Sequence, residues 1–193
     1  MEPFVHPTAI VEDEVAIGRR TSIWHHGHIR RGASIGSGCT LGKNVFVDAG
    51  VRIGNGVKVQ NNVSVYAGVT IHDDVFVGPS AVFTNDLHPR AFASEWQITP
   101  TIVHRGASIG ANATIVCGVE IGAFALVGSG AVVTRSVAPH QLVLGNPARP
   151  AGWVCTCGCP VHTSDGSEPS VDVVCETCAL PWRRGLPDRG DES

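Results

Sequence analysis

Large aliphatic residues recur at every sixth position over most of the chain. From Val5 to Phe83, fourteen consecutive positions at this spacing are large and apolar, and most of them are β-branched. The residue four positions after each is small or medium-sized, and glycine often follows the aliphatic residue directly. A period of six fits neither an α-helix nor a coiled coil. Because the phase never slips and hairpin turns do not occur at strand spacing, the pattern predicts a solenoid rather than an antiparallel meander.

Each six-residue unit is expected to form one short strand and one corner, with its aliphatic residue inside. Three units close a triangular coil, and the coils stack by parallel hydrogen bonding. The phase breaks after Phe83 and resumes at Val103, from which six further units run to Val133. The break leaves about fourteen residues outside the repeat, roughly Pro89 to Ile102. We therefore expect an all-β parallel helix of about seven coils, with a loop over about residues 85–102 projecting from one corner.

Composition and charge narrow the class of protein. Hydrophobic residues make up 43% of the chain, which supports a real core and excludes global disorder. The net charge of −3 argues against a general affinity for nucleic acid. The longest uncharged stretch, Gly122 to Thr134, is too short to span a membrane. An acidic residue stands near the N-terminus where a signal peptide would be basic, so a cytoplasmic protein is expected.

The projecting loop concentrates polar chemistry. It opens with Phe83-Thr84-Asn85-Asp86-Leu87-His88-Pro89-Arg90, which places four groups able to hydrogen-bond or move protons within six residues. Long loops on rigid scaffolds usually carry function. The alternative is a capping loop in which Asn and Asp make turn hydrogen bonds.

Several motifs resemble one branch of the hexapeptide-repeat acyltransferases, whose fold is a left-handed parallel β-helix. The matching segments are Ser22-Ile23-Trp24-His25-His26, the run from Gly54 to Tyr66 with Gln60-Asn61-Asn62, Asp73 to Ser80, Val82-Phe83-Thr84-Asn85, Arg105 to Gly118, and Gly145-Asn146-Pro147-Ala148-Arg149. This branch acetylates the 3-amino group of UDP- or dTDP-linked sugars. The resemblance covers roughly residues 4–157, and the left-handed sense of the helix comes from it alone.

The resemblance implies an acetyl-CoA-dependent N-acetyltransferase that works as a homotrimer, with acetyl-CoA between neighbouring subunits. The acceptor would be a sugar such as UDP-2-acetamido-3-amino-2,3-dideoxyglucuronate or dTDP-3-amino-6-deoxyhexose. An Asn-Asp pair at this corner contacts the amino sugar in related enzymes, which assigns Asn85 to orienting the amine or a sugar hydroxyl and Asp86 to accepting a hydrogen bond from the amine. His88 is a candidate general base, because its ordinary pKa is near neutrality, or an ordinary surface histidine.

One position departs from the branch. After Val65-Tyr66 the family commonly has a glutamate near the sugar, and here that residue is Ala67. This predicts a different sugar, a different polar contact or weak activity. His25, Gln60 and Asn62 are candidates to contact the nucleotide or sugar; the alternative is solvent-facing side chains or a polar ladder along the helix.

The later coils are candidates for binding CoA. Their outward positions carry few bulky side chains, among them Ala125 and Ser129, so a pantetheine arm could lie along a flat backbone surface. Arg135 and Arg149 are candidates for the CoA phosphates, or else solubilising surface charges.

Five of the seven cysteines lie in the C-terminal tail. In a cytoplasmic chain such clustering favours a metal site over disulfides. Cys155, Cys157, Cys175 and Cys178 resemble the two knuckles of a zinc ribbon and would give a closed structural zinc site, with Cys159 as a spare ligand. We expect a β-helix domain over residues 1–154, a zinc-ribbon-like module over 155–184 and a disordered tail over 185–193.

Two other functions compete with acetyl transfer. A γ-type carbonic anhydrase uses the same prism and needs three histidines around a zinc ion; His72, His88 and His104 are available but lack the close pair that this enzyme has on one coil. A non-catalytic β-helix scaffold is favoured slightly by Ala67, and the Phe-Thr-Asn-Asp corner argues against it.

Overall fold

The computed structural model describes residues 1–163, 166–170 and 173–182, and its strands up to Leu144 form an all-β solenoid with three parallel faces. Sheet A consists of β1 (Phe4–Val5), β4 (Ser22–Ile23), β7 (Thr40–Leu41), β10 (Lys58–Val59), β13 (Phe76–Val77), β16 (Ser108–Ile109), β19 (Leu126–Val127), β21 (Gln141–Leu144), β22 (Arg149–Val154) and β23 (Pro160–Val161). Sheet B consists of β2 (Ile10–Val11), β5 (His28–Ile29), β8 (Phe46–Val47), β11 (Ser64–Val65), β14 (Val82–Phe83), β17 (Thr114–Ile115) and β20 (Val132–Val133). Sheet C consists of β3 (Ala16–Ile17), β6 (Ser34–Ile35), β9 (Arg52–Ile53), β12 (Val69–Ile71), β15 (Thr101–Val103) and β18 (Glu120–Ile121).

The strands β1 to β20 correspond one to one with the twenty six-residue units that the sequence predicts. Pairing is parallel, and each strand pairs with the equivalent strand one coil above, as Phe4 does with Ser22. Across the projecting loop the offset grows, so that Phe76 pairs with Ser108. The helix therefore resumes in register after the loop, and β21 begins an eighth coil.

The core is a column of aliphatic side chains inside the triangle. The recurring residues from Ile23 to Val133 are almost all buried, and the small partners such as Ala107 and Ala113 are fully buried at the corners. Val5 and Val11 are each 37% exposed, because their strands form the end of their sheets and pair with one neighbour only. Burial of the aliphatic column is the main source of stability in such a fold.

The corners define three edges of the prism, which are named here after the sheets they join. The A/B edge contains residues such as 24–27 and 60–63, the B/C edge residues such as 48–51 and 66–68, and the C/A edge residues such as 72–75 and 104–107. Asn44 and Asn62 adopt left-handed backbone angles (φ of 57° and 62°) at the A/B edge, a conformation that asparagine tolerates better than most residues.

The projecting loop leaves the helix at the B/C edge. β14 ends at Phe83 and β15 begins at Thr101, so the loop comprises residues 84–100 and ends two residues before the predicted boundary at 102. Thr101 and Ile102 belong instead to β15, where they pair with Val69 and Thr70. A backbone hydrogen bond from Thr99 N–H to Asn85 O (2.9 Å) closes the neck of the loop.

The C-terminal region continues sheet A in the opposite sense. β22 pairs antiparallel with β21, and β23 pairs antiparallel with β22. A second, small hydrophobic cluster follows, formed by Cys155, Val161, Cys175 and Trp182. The tail predicted to be disordered, residues 185–193, lies outside the described residues. The described part of the chain contains no helix that could cross a membrane.

Candidate functional site

Asn85 lies at the point where the loop leaves the prism. Its backbone carbonyl is fixed by Thr99, and its side-chain Nδ2 donates a long hydrogen bond to the backbone carbonyl of Ala67 on the coil below (3.5 Å). The preceding residue, Thr84, accepts a hydrogen bond from Cys117 N–H on the coil above (2.9 Å). Asn85 is half-buried at the B/C edge, with its amide on the coil below and the neighbouring Thr84 bonded to the coil above.

Asp86 and His88 form the first turn of the loop. One carboxylate oxygen of Asp86 accepts the backbone N–H of His88 (2.8 Å), and the imidazole of His88 is exposed. The turn hydrogen bond anticipated for this segment is thus present. It engages one oxygen of Asp86, and the residue remains half-buried beside Asn85.

The loop presents large apolar side chains to solvent and packs back on the prism. Phe92 and Trp96 are 88% and 68% exposed. The returning segment lies close against a glycine of the corner below, where an added Cβ on Gly68 would meet Cγ2 of Ile98. The packing requires the absence of a side chain at this glycine.

A groove of about 340 Å³ at the A/B edge brings two predicted substrate residues together. It is lined by Trp24, His25, Thr40, Gly42, Lys43, Val59, Gln60 and Asn61. His25 stacks on His6, with ring centroids 3.6 Å apart. Desolvation, together with the nearby charges of His25 and His26, lowers the pKa of His6. The groove therefore combines imidazole, indole and amide groups, which suits a polar ring-containing ligand.

Asn62 lies beside this groove and not in its lining. Its Oδ1 accepts a hydrogen bond from Asn44 Nδ2 (3.0 Å), so the two residues form a short polar ladder along the edge. The A/B edge and the B/C edge stand on opposite sides of sheet B. Within one chain, Asn62 and the groove are consequently separated from Asn85 by the width of that sheet.

The two arginines predicted to bind CoA phosphates line one groove. Arg135 and Arg149 face a space of about 170 Å³ that is also lined by Val133, Ser136, Val137, Gln141, Val143, Ala148 and Pro150. The reversal from β21 to β22 brings Arg149 back to the last coil. Both arginines are exposed, as a site for phosphate groups requires.

Ala125 and Ser129 are placed differently from each other. Ser129 is exposed on the A/B edge, as predicted. Ala125 is 1% exposed, which corrects the expectation that its side chain faces outward. It occupies the small-residue position of its coil, where the narrowing corner directs the Cβ into the core, so it can border a ligand only through its backbone.

Sequence reasoning overlooked a ladder of charged residues at the B/C edge below the loop. Arg30 Nη1 donates to Asp48 Oδ1 (2.9 Å), and the Glu12 carboxylate contacts His28 Nε2 (2.8 Å). The backbone N–H of Arg31, followed by the side chain of His28, holds the pKa of Glu12 below its usual value. The spacing of eighteen residues between positions 12, 30 and 48 was the available signal, since it stacks them on one edge.

The four predicted metal ligands meet at one point. The Sγ atoms of Cys155, Cys157, Cys175 and Cys178 all lie within 4.8 Å of one another. The backbone N–H groups of Cys178 and Thr177 lower the pKa of Cys175 to about 7, which favours its thiolate, whereas desolvation and the neighbouring thiols raise the pKa of Cys157 to about 12 and also raise that of Cys178. Four converging sulfur atoms with N–H donors around them fit a tetrahedral metal ion. Cys159 packs against the same cluster but is not part of this group of four.

The histidines considered for an anhydrase do not meet within one chain. His72 and His104 are neighbours at the C/A edge, with ring centroids 5.2 Å apart, whereas His88 lies in the loop at the B/C edge. His104 is instead paired with Glu120 (2.9 Å). Among the described residues, the cysteine group is the cluster suited to hold a metal ion.

Family models of hexapeptide repeats match the chain. The bacterial transferase hexapeptide (six repeats) matches residues 50–85. The hexapeptide repeat of succinyl-transferase matches residues 8–49, 32–67 and 100–135. The matched ranges lie on the coils and leave the centre of the projecting loop outside.

Individual relatives agree with this family. The dTDP-3-amino-3,6-dideoxy-alpha-D-galactopyranose 3-N-acetyltransferase of Aneurinibacillus thermoaerophilus is 50% identical over 154 residues, which is 80% of each chain. A hexapeptide-repeat acetyltransferase of Vibrio cholerae, solved with acetyl coenzyme A, has a TM-score of 0.55 and 26% identity over 72% of this chain and 70% of that chain. The acetyltransferase domain of PglB from Neisseria gonorrhoeae has a TM-score of 0.53 at 21% identity, covers 77% of this chain and 57% of that chain, and shows the fold alone. The chain therefore belongs to the hexapeptide-repeat acetyltransferases, the family that its motifs predict.

Proposed function

We propose that the protein transfers an acetyl group from acetyl-CoA to the 3-amino group of a dTDP-linked 3-amino sugar. The observation that carries this proposal is the 50% identity, over 80% of each chain, to an acetyltransferase of a dTDP-3-amino-3,6-dideoxyhexose. The match extends through the coils that hold Asn85. It favours the dTDP-linked 6-deoxyhexose over the UDP-linked uronate among the two sugars that the motifs allow.

The reaction is attack of a neutral amine on a thioester. The amine nitrogen bonds to the carbonyl carbon, the carbon–sulfur bond breaks, and CoA leaves as a thiolate that collects the proton lost by the amine. The main demand on the protein is to hold the amine near the carbonyl carbon. Asn85 orients the amine or a neighbouring hydroxyl, and Asp86 accepts a hydrogen bond from the amine through the oxygen that His88 N–H does not engage. The exposed imidazole of His88 is the alternative acceptor for this proton, in place of the thiolate.

A homotrimer would complete the site. The A/B groove with His25 and Gln60 and the B/C corner with Asn85 lie on opposite sides of sheet B in one chain. A single substrate can reach both only if the A/B edge of one copy faces the B/C edge of its neighbour. The exposed Phe92 and Trp96 on the loop supply apolar surface for such a contact.

Acetyl-CoA would lie along the last coils with its phosphates at Arg135 and Arg149. The two guanidinium groups line one groove, and each can donate paired hydrogen bonds to phosphate oxygens. Ser129 and the backbone at Ala125 would border the pantetheine arm.

The four-cysteine cluster would hold a structural zinc ion. Four thiolates leave no open coordination position for a substrate, and the cluster packs against Trp182 at the C/A edge, on the far side of the prism from sheet B. We therefore assign residues 155–184 to a zinc-ribbon-like module, following a β-helix domain over residues 1–154.

The test is CoA thiol release from acetyl-CoA with a panel of dTDP- and UDP-linked 3-amino sugars. Turnover with a dTDP-3-amino sugar, strongly reduced in Asn85→Ala, is the expected result. Asp13→Asn is the matched control, because Asp13 is 88% exposed at the same edge, four coils below Asn85. Turnover with UDP-sugars alone would contradict the proposal that the sugar carries dTDP. If no sugar in the panel caused thiol release, the transferase function would be contradicted and a scaffold favoured.

A further inference from the structure

Three side chains at the B/C edge cap backbone N–H groups of the coil above them. Glu12 Oε2 accepts from Arg31 N–H (2.9 Å), and Thr84 Oγ1 accepts from Cys117 N–H (2.9 Å). Asp48 Oδ2 accepts from Ala67 N–H (3.3 Å). Corner N–H groups lie outside the strand ladder, so a side-chain acceptor fixes the orientation of the peptide that it caps.

Asp48 is held more firmly than a surface carboxylate. Its Oδ1 accepts from Ala49 N–H (2.8 Å) and from Arg30 Nη1 (2.9 Å), and the side chain is only 16% exposed. With Oδ2 on Ala67, the carboxylate has three donors from three different residues. Hydrogen bonds to an ionised acceptor are stronger than those between neutral groups, so this carboxylate is a rigid anchor.

The capped residue leads directly to the proposed site. Ala67 donates its N–H to Asp48 and accepts the Asn85 side-chain amide at its own carbonyl (3.5 Å). Asp48 and Asn85 are therefore linked through the backbone of Ala67, whose N–H and C=O belong to the two peptide groups on either side of its Cα. Because residue 67 is alanine, its side chain offers Asn85 no polar group, and its backbone carbonyl accepts the hydrogen bond from the Asn85 amide instead.

We propose that Asp48 is a positioning residue for the acetyl transfer, acting on Asn85 through the backbone of Ala67. This proposal rests on the proposed function of the Asn85 corner. Loss of the carboxylate frees the Ala67 N–H, allows the backbone there to turn, and leaves the Asn85 amide without a fixed acceptor. The substrate amine is then misplaced relative to the thioester, and small misplacements reduce the rate strongly.

Glu12 distinguishes positioning from ordinary capping. It makes the same kind of hydrogen bond to a corner N–H, and Arg31, the residue that it caps, lies three coils below Asn85. Its link to Asp48 is a 3.7 Å contact with Arg30 Nε, so Glu12→Ala should leave the 2.9 Å bond from Arg30 Nη1 to Asp48 in place. Removal of either carboxylate should lower the stability of the fold, whereas only removal of Asp48 should lower the rate of acetyl transfer.

The kinetic experiment compares Asp48→Ala with Glu12→Ala by measuring CoA thiol release from acetyl-CoA with the dTDP-3-amino sugar. We expect kcat to fall about 10- to 100-fold in Asp48→Ala, with KM for acetyl-CoA unchanged, and to stay within about 2-fold in Glu12→Ala. Asp48→Asn, which retains one acceptor oxygen, should lie between Asp48→Ala and the wild type. In an Asn85→Ala background, Asp48→Ala should cause no further loss. Equal losses from the two carboxylates, or losses that multiply in the double variant, would overturn the proposal.

A second measurement does not depend on turnover. In a crystal structure of Asp48→Ala, the Asn85 amide should have left the carbonyl of Ala67, whereas in Glu12→Ala it should remain there. An Asn85 side chain that is unmoved in Asp48→Ala overturns the positioning role even if the wild type is active. A wild type that releases no thiol with any sugar contradicts the proposed function, and the displacement of Asn85 still decides what Asp48 does.

Discussion

The imidazole of His140 stacks on the ring of Phe124, with centroids 5.2 Å apart and planes inclined by 22°. His140 is fully buried, and Trp182 packs edge-on against it with ring centroids 5.5 Å apart. The ring Nδ1 of His140 also lies 3.1 Å from the carbonyl of Val154. This aromatic stack joins the last coils to the cysteine-containing region, so the two are expected to stabilise each other.

Trp182→Ala should detach the C-terminal region from the prism. Trp182 is 3% exposed, and removal of a buried aromatic side chain costs about 3–5 kcal/mol. Limited proteolysis should then cleave after residue 154 faster than in the wild type, whereas Trp182→Phe should remain closer to the wild type. Equal cleavage rates in all three proteins would show that the stack does not hold this region.

The protein should carry one zinc ion per chain, and Cys178→Ser should lose it. The four sulfur atoms are already gathered within 4.8 Å of one another, so elemental analysis should show close to one zinc in the wild type. Cys117→Ser is the matched control, because Cys117 is buried in the prism away from the cluster. Full zinc content in Cys178→Ser would contradict the proposed ligand set. The double variant Cys159→Ser, Cys178→Ser then shows whether the spare Cys159 has replaced Cys178, in which case its zinc is lost.

The affinity for zinc should fall as the pH is lowered. Each ligand must be a thiolate, so metal binding releases protons, and protons compete with the metal below the pKa of each thiol. The backbone donors that lower the pKa of Cys175 to about 7 extend the range over which its thiolate is available. Titration with a competing chelator at pH 6, 7 and 8 should show the weakest binding at pH 6, and a pH-independent affinity would argue against thiolate ligands.

Gly68→Ala should displace the projecting loop and reduce activity. Its left-handed backbone (φ of 92°) disfavours alanine, and the new Cβ would meet Cγ2 of Ile98. Gly50→Ala is the matched control, because Gly50 lies one coil below with a φ of 69° and no atom near its added Cβ. The two variants should share a backbone cost of about 1 kcal/mol, and only Gly68→Ala should also lower kcat. Equal activities would show that the loop tolerates the displacement.

Arg135→Ala and Arg149→Ala should weaken the binding of acetyl-CoA. The two arginines line one groove, and loss of a charge-assisted hydrogen bond to phosphate should raise KM for acetyl-CoA about 10-fold. S-acetylpantetheine lacks the phosphates, so its KM should hardly change. Arg52→Ala, an exposed arginine on sheet C, serves as the control. An equal rise in KM for acetyl-CoA and for S-acetylpantetheine would contradict the proposal that the two arginines bind the CoA phosphates.

Glu12→Gln should lower stability near neutral pH and have less effect in acid. The pKa of Glu12 is held down first by Arg31 N–H and then by His28. A depressed carboxyl pKa means that the stabilisation is present above the ordinary value and is lost as the pH falls through the folded-state value. The difference in Tm between Glu12→Gln and the wild type should therefore narrow from pH 7 to pH 4. Glu2→Gln, at an exposed position before the first strand, serves as the control.

The repeat in the sequence predicted the fold almost completely. Every sixth residue from Val5 to Phe83, and again from Val103 to Val133, lies on a strand as predicted, because a period of six allows one short strand and one corner per unit. The break after Phe83 predicted the loop, although its end was placed two residues late. Thr101 and Ile102 extend β15 beyond two residues, a local lengthening that the six-residue pattern does not encode.

The site was predicted in part. Short motifs contain His25 and Gln60, which line one groove, and the four cysteines, which lie together, while the role of Asn85 stays a prediction. The contact of Asp48 with Ala67 was not predicted, because it joins residues nineteen apart, and only stacking of the coils makes them neighbours. The prediction that Ala125 faces outward was wrong for a related reason. An alanine in the sequence does not by itself show whether its side chain faces solvent or fills a narrow corner of the core.

The sequence by itself determined the coil, its register and the place where the loop leaves it, because each of these depends on residues a fixed short distance apart. Only the tertiary structure decided which residues share an edge. Closure of three strands into a triangle separates Asn85 from the A/B groove by a sheet, and the reversal from β21 to β22 places Arg149 beside Arg135. Such neighbours are set by the path of the backbone in space, which no local period records.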